Sequence, residues 1–357
     1  MSMVPRPPGL SFWSAVVAGG LVVGGTEWMV RRTADQVPLW YAAAGVVASR
    51  EDVGFLFVGS SRTGAAVATW AFERQVRRAG AARGRALNLG RGYSTTVEHY
   101  LGLRDLMAEH PERLRGLTVF VEAPGGNPEP ALWEGRWSHP AQPAMLLEVL
   151  RWRDMPAYWR RSGEPLEEKI ATSTRLAFRD LALVRRRERF RERLLGAGAW
   201  IAARAQGRSA SWPFEGEPFG FDLSGAALGG TKPAAARVPR VRRLALRMGR
   251  RWTQRKAWVR WERTVDADLV RLIRERGGRV WYFAVPRSSA FAAGPERKAE
   301  EAAFAAWAAQ VGSAVLWPKF DYDDSDLPDL LHLRASRAPD FTRALARAWL
   351  EADRAPR

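Results

Sequence analysis

The chain has 357 residues, 46% of them hydrophobic, enough for one large domain or two modest ones with a buried core. It contains no cysteine, which excludes disulfides, thiolate catalysis and zinc ribbons without selecting a compartment. The formal net charge of +18 is concentrated: Arg151 to Arg260 holds 26 basic and 10 acidic residues, so the rest of the chain is close to neutral. A nucleic-acid binder of uniformly basic character would look different, and nucleic acid is not expected as a partner.

In chain order, the first feature is an apolar run from Leu10 to Val30, broken only by small residues, Thr26 and Glu27. At helical rise it is long enough to span a bilayer, and Trp13 and Trp28 lie near its ends, where interfacial tryptophans belong. No small-x-small cleavage pattern follows directly, so residues 1–34 read as an uncleaved membrane anchor, with a buried N-terminal helix as the alternative. Arg6 opposes Arg31 and Arg32 across the run, so the flanking charges do not set its orientation.

Residues 50–127 then alternate strand and helix. A continuous apolar strand, Val53 to Val58, ends at Gly59 and leads into a helix from about Thr63 to Ala79. A short strand, Ala86 to Leu89, runs into Gly90-Arg91-Gly92, followed by a helix from Thr95 to Ala108. A third strand, Leu117 to Ala123, ends at Pro124-Gly125-Gly126-Asn127. This alternation predicts a parallel sheet. Residues 128–256 break it with arginine-rich helical stretches and a glycine-rich loop near Phe219 to Gly230, and read as an inserted helical cap. Residues 257–357 restore it: helix Val259 to Arg276, strand Arg279 to Val285, helix Pro295 to Gln310, strand Ala314 to Trp317, an acidic loop Asp321 to Asp329 and a terminal helix.

In an open parallel sheet, ligands bind beyond the carboxyl ends of the strands. Ser61, Gly90, Gly92, Asn127, Asp329 and His332 all fall just after expected strands. Ser61 would occupy the turn into the first helix, where its hydroxyl can act as a nucleophile and its N–H can donate to an oxyanion. Asp329 and His332, three apart, can share one face of a turn, so that the carboxylate holds the ring nitrogen facing away from the serine. Gly92 can bring a second N–H close because it lacks a side chain. Taken singly, Gly59-Ser60-Ser61 also suits an ordinary N-cap, since serine caps helices well. The Gly-x-Ser-x-Gly elbow does not fit, because the fifth position is Thr63. The acidic run Asp321, Asp323, Asp324, Asp326 lacks the glycine and closing glutamate of an EF-hand and reads as a solvated loop. His99, His110 and His139 show no metal-ligand spacing, and no metal or cofactor is expected.

These segments resemble the SGNH (GDSL-like) hydrolase superfamily, and within it the membrane-anchored branch that includes the alginate and lipoteichoic-acid acyl-transfer accessory proteins. Gly59-Ser60-Ser61 resembles the Gly-Asp-Ser block with Ser60 in place of aspartate; Asn88-Leu-Gly90-Arg-Gly92 resembles a shortened Asn-x-Gly-x-x-Gly block; Asp329-x-x-His332-Leu is the most specific match, supported by Phe341-Thr-x-x-Leu345-Ala. The third block departs, with Pro124-Gly-Gly-Asn127-Pro where the family has Gly-x-Asn-Asp after the third strand. The resemblance implies a flavodoxin-like three-layer α/β/α sandwich with a parallel sheet, the SGNH hydrolase fold. It implies a serine esterase or O-acyltransferase acting on an acetyl or similar ester of a cell-envelope glycan. The triad would be Ser61, His332 and Asp329, and the oxyanion donors Ser61, Gly92 and Asn127, with Gly90 either the alternative to Gly92 or, like Arg62, a substrate-binding residue. The implied partners are the acylated glycan, the membrane and a membrane-bound O-acyltransferase, with the domain outside the cytoplasm in the periplasm. The altered third block leaves open a non-catalytic assembly or glycan-binding protein that keeps the fold. Arg62 suits an anionic substrate, or else is a surface arginine of the first helical turn.

The basic segment interleaves arginines, six among the nine residues Arg185 to Arg193, with Trp152, Trp159, Trp200, Trp252 and Trp258. Basic helices with an apolar face suit a membrane surface, and the same chemistry can grip an anionic glycan; a solvated arginine-rich face is the alternative.

Overall fold

The structure, a computed structural model, describes residues 39–91, 94–123, 143–162, 164–177, 243, 246, 265–291 and 295–354. Two units divide the chain: Met1–Val37 with Pro165–Pro218, and Pro38–Glu164 with Phe219–Arg357. In the first, the described element is a helix, Leu166–Ala177. In the second, helix α1 (Leu39–Ser49) precedes strand β1 (Val53–Val58), short helix α2 (Ser61–Ala66), α3 (Thr69–Arg78), β2 (Arg85–Asn88), α4 (Thr96–Glu109) and β3 (Thr118–Glu122). After α5 (Pro143–Val149) and α6 (Met155–Arg161) come α7 (Val265–Glu275), β4 (Arg279–Phe283), α8 (Pro295–Gln310), β5 (Val315–Leu316) and α9 (Ala338–Arg354).

The five strands form one all-parallel sheet in the order β2-β1-β3-β4-β5, an α/β fold. Strand alternation sends Phe55, Phe57, Phe120 and Phe283 to one face, where they pack with Phe72 of α3 and with Phe341, Leu345 and Trp349 of α9. Phe57 and Phe120, paired in register, stack at 4.7 Å between ring centroids. The intervening residues, among them Leu56, Val58, Val119, Val121 and Tyr282, are also buried, on the face that carries α4 and α7. Both sheet faces are covered, which is why the strands read as unbroken apolar runs. The chain runs from β1 outward to β2, then crosses to β3 on the other side of β1. The crevice between β1 and β3 is thus the switch point at which such sheets take ligands.

The helix expected over Thr63 to Ala79 is two helices. Val67 and Ala68 adopt extended backbone between α2 and α3. The break is supported from outside the segment. The Thr342 hydroxyl on α9 accepts from the Ala68 N–H at 2.9 Å and lies 3.1 Å from the Ala66 carbonyl, and the Asn88 amide donates to the Val67 carbonyl at 2.9 Å. Local sequence carried no sign of these long-range partners. The apolar run Leu10 to Val30 lies outside the described residues, and among those described no helix is long and apolar enough to cross a membrane. Of the segment 128–256, the described stretches of more than one residue, 143–162 and 164–177, are mainly helical, while Arg185 to Arg193 falls outside them.

Candidate active site

Gly59, Ser60 and Ser61 follow β1 at its carboxyl end. Ser60 is the N-cap of α2: its backbone is extended and its hydroxyl accepts from the Arg62 N–H at 3.2 Å. Capping by Ser60 leaves Ser61 at the first helical position, with its side chain free for other work. Ser61 Oγ lies 2.7 Å from His332 Nε2. The Ser61 N–H, at the exposed end of the helix ladder, has no acceptor among the described residues.

Asp329 and His332 sit in the loop between β5 and α9. Asp329 Oδ2 lies 2.7 Å from His332 Nδ1, while Oδ1 accepts from the backbone N–H groups of Leu331 at 2.9 Å and His332 at 2.8 Å. An ionised carboxylate can only accept, so Nδ1 carries the ring proton and Nε2 presents its lone pair to the Ser61 hydroxyl. Burial by itself pushes the Asp329 carboxyl up. The bonds from His332 and the two N–H groups outweigh it and hold the group below the usual aspartate value. The Asp329 side chain is 2% exposed and the His332 ring 31%, so the acid is sheltered while the imidazole faces the crevice.

The turn that makes this possible includes Leu330 at φ 66°, a left-handed conformation that bulky residues rarely adopt. Strain of this kind costs on the order of 1–3 kcal/mol and is held by surrounding structure. Here Leu330 is buried against Phe291, and its N–H donates to the Leu327 carbonyl at 2.7 Å. The acidic residues just upstream brace the loop. Asp324 accepts from the Ser289 N–H at 2.8 Å, and Asp326 pairs with Arg337 at 3.3 Å.

Arg62 is a correction to its reading as a surface arginine of the first helical turn. It is buried, and its Nε donates to the Leu331 carbonyl at 3.3 Å and its Nη2 to the Pro286 carbonyl at 2.5 Å. Gly90 is held within the fold. Its N–H is committed to the Asn88 side-chain oxygen at 3.0 Å, and a Cβ there would lie 2.5 Å from the Gly64 nitrogen. Gly90 therefore serves the close approach of the β2 turn to α2, and its N–H already has an acceptor within the fold. Gly92 and Asn127, the other expected donors, lie outside the described residues.

Sequence reasoning assigned no role to three supports of this turn, although Asn88 falls within the second block. Glu122, the last residue of β3, directs its carboxylate at the turn before Ser61. Its Oε2 accepts from the Ser60 N–H at 2.9 Å, the Ser60 hydroxyl at 2.8 Å and the Thr63 hydroxyl at 2.7 Å. A carboxylate ending an otherwise apolar strand beside an expected site was the available signal. Asn88 clamps β2 to the end of α2, and His99 Nε2 lies 3.1 Å from the Gly59 carbonyl. Burial, reinforced by the nearby Arg91 charge, lowers the His99 pKa to about 3, so the ring is neutral and its Nε2–H donates to Gly59.

No protein-family model matches this chain, and no curated protein or solved structure matches it either.

Proposed function

We propose that this protein is an SGNH-type serine esterase or O-acyltransferase with a flavodoxin-like fold, acting on an ester, acetyl by preference, of a cell-envelope glycan. One observation carries the reading: the unbroken chain from Ser61 Oγ to His332 Nε2 and from His332 Nδ1 to Asp329, 2.7 Å at each step, at the sheet's switch point. The glycan substrate rests on the family resemblance alone.

In this chemistry Ser61 Oγ attacks the ester carbonyl as His332 Nε2 takes its proton. Asp329 stabilises the imidazolium and fixes its orientation. The carbonyl oxygen gathers negative charge beside the Ser61 N–H, with Gly92 and Asn127 as the further donors the resemblance implies. As the tetrahedral species collapses, the proton on Nε2 passes to the departing alcohol, leaving an acyl-serine. Water then releases a free acid, or a glycan hydroxyl accepts the acyl group. A membrane-bound acyltransferase as supplier of the acyl group, and a periplasmic location, belong to the same proposal.

A non-catalytic glycan-binding or assembly role is the alternative, and its motive is the altered third block, Pro124-Gly-Gly-Asn127-Pro. Turnover of p-nitrophenyl acetate separates the two readings. The enzyme reading expects hydrolysis that Ser61→Ala abolishes. Hydrolysis unchanged by Ser61→Ala, or glycan binding without any turnover, supports the alternative.

A further inference from the structure

We infer that Arg62 and Glu122 form a coupled positioning pair: Glu122 fixes the turn carrying Ser61, and Arg62 ties that turn to the His332 loop while cancelling the Glu122 charge beside the Ser61 N–H. The inference rests on Ser61 being the nucleophile, and it assigns work to two buried charges that the triad itself does not use.

The geometry of Glu122 is unusually committed. One oxygen gathers the Ser60 N–H, the Ser60 hydroxyl and the Thr63 hydroxyl, which are the residues on either side of Ser61 and Arg62. Gly59 has no room for a side chain, since a Cβ would lie 2.7 Å from the Glu122 Oε2. The carboxylate thus sets where α2 starts and where Ser61 points. It also places an anion one residue away from the N–H that would receive the oxyanion. An uncompensated negative charge in a dry site opposes the build-up of another one beside it.

Arg62 supplies the compensation. Its Nη1 lies 4.0 Å from Glu122 Oε1, and the two side chains are 6% and 5% exposed. Burial lowers the guanidinium pKa to about 10, with Glu122 pulling the other way, so it stays cationic at neutral pH. From the same planar group, Nε reaches Leu331, the residue before His332, and Nη2 reaches Pro286 after β4. One side chain therefore links the ends of β1, β3 and β4 to the histidine loop. A lysine could not do this, because an ammonium is a single point on a flexible stem. Nη1 makes no hydrogen bond, so its contact with Glu122 is electrostatic rather than directional. Its loss should therefore be repaired by neutralising Glu122.

That repair is the test. Four full-length proteins are compared for p-nitrophenyl acetate turnover and urea midpoint: wild type, Arg62→Met, Glu122→Gln and the double variant. Arg62→Met is expected to lower kcat by roughly 30- to 100-fold with KM within about threefold, and the double variant to regain about tenfold of it. The urea midpoint should follow the same order, the double variant being more stable than Arg62→Met, because removing one partner strands the other's charge. Arg62→Lys, which keeps the charge but not both carbonyl bonds, should give an intermediate kcat and serves if Arg62→Met does not fold. A double variant no faster and no more stable than Arg62→Met overturns the inference, as does Arg62→Met with wild-type kcat. Absence of Ser61-dependent turnover in the wild type defeats the enzymatic reading instead. The pairing is then judged on the urea midpoints alone, where additive effects overturn it.

Discussion

At the scale of single residues, the site divides its work by burial. Asp329 is sheltered and keeps its charge; His332 is open to the crevice; Ser60 caps so that Ser61 need not. Asp329→Asn would keep the shape yet offer the ring an amide instead of an obligate acceptor, favouring the wrong tautomer. A fall in kcat of about 10²- to 10⁴-fold is expected, with KM little changed, measured on the same chromogenic ester. The sequence made Ser61, Asp329 and His332 legible because their signals are local: a serine after a strand, and an acid and an imidazole three apart. Arg62 and Glu122 were not legible in the same way. Their burial depends on each other across 60 positions, and no local pattern distinguishes a buried arginine in a first helical turn from a solvated one.

At the scale of elements, the helix break between α2 and α3 shows tertiary structure overriding a helical pattern. Thr342 replaces the missing ladder there, so Thr342→Val, nearly the same shape, would leave the buried Ala68 N–H without an acceptor. A loss of about 1–3 kcal/mol in urea unfolding is expected. The start of α4 offers a pH test. The unfolded chain protonates a histidine near pH 6.5, whereas folded His99 does so only near 3. Between those values the unfolded state binds more protons, so this residue's contribution to stability is full above about pH 6.5 and is lost as pH falls. Glu98 slopes the opposite way, since burial pushes it up to about 7 against the pull of Arg91. The informative quantity is therefore the difference between wild type and His99→Gln. The wild type should lose about 2–3 kcal/mol more than the variant between pH 6 and 4; equal losses would show that the ring does not carry the effect.

At the scale of the molecule, the strand order brings segments some 270 residues apart to one crevice; the parallel sheet was legible in the alternation of strands and helices, whereas the order of its strands was not. The length of each strand was read to within two residues at either end because both faces are buried and the apolar runs are sharp. The arginine-rich middle resisted such reading, since charge excess specifies neither period nor partner. If residues 1–34 anchor the chain, the full-length protein should sediment with membranes and be released by detergent but not by about 1 M salt, which screens electrostatic adsorption of the basic segment. The chain lacking residues 1–34 should move to the soluble fraction. Release of the full-length chain by salt alone would replace the anchor with surface attraction.

The central claim is that the Ser61 hydroxyl is activated by the His332–Asp329 couple. Intact-mass measurement after exposure to a fluorophosphonate, which phosphonylates activated serines, tests it most directly. A single adduct mapping to Ser61, absent in Ser61→Ala and formed at least about a hundredfold more slowly in His332→Ala, is the expected result. An unmodified wild-type protein, or labelling at the same rate without His332, would contradict it.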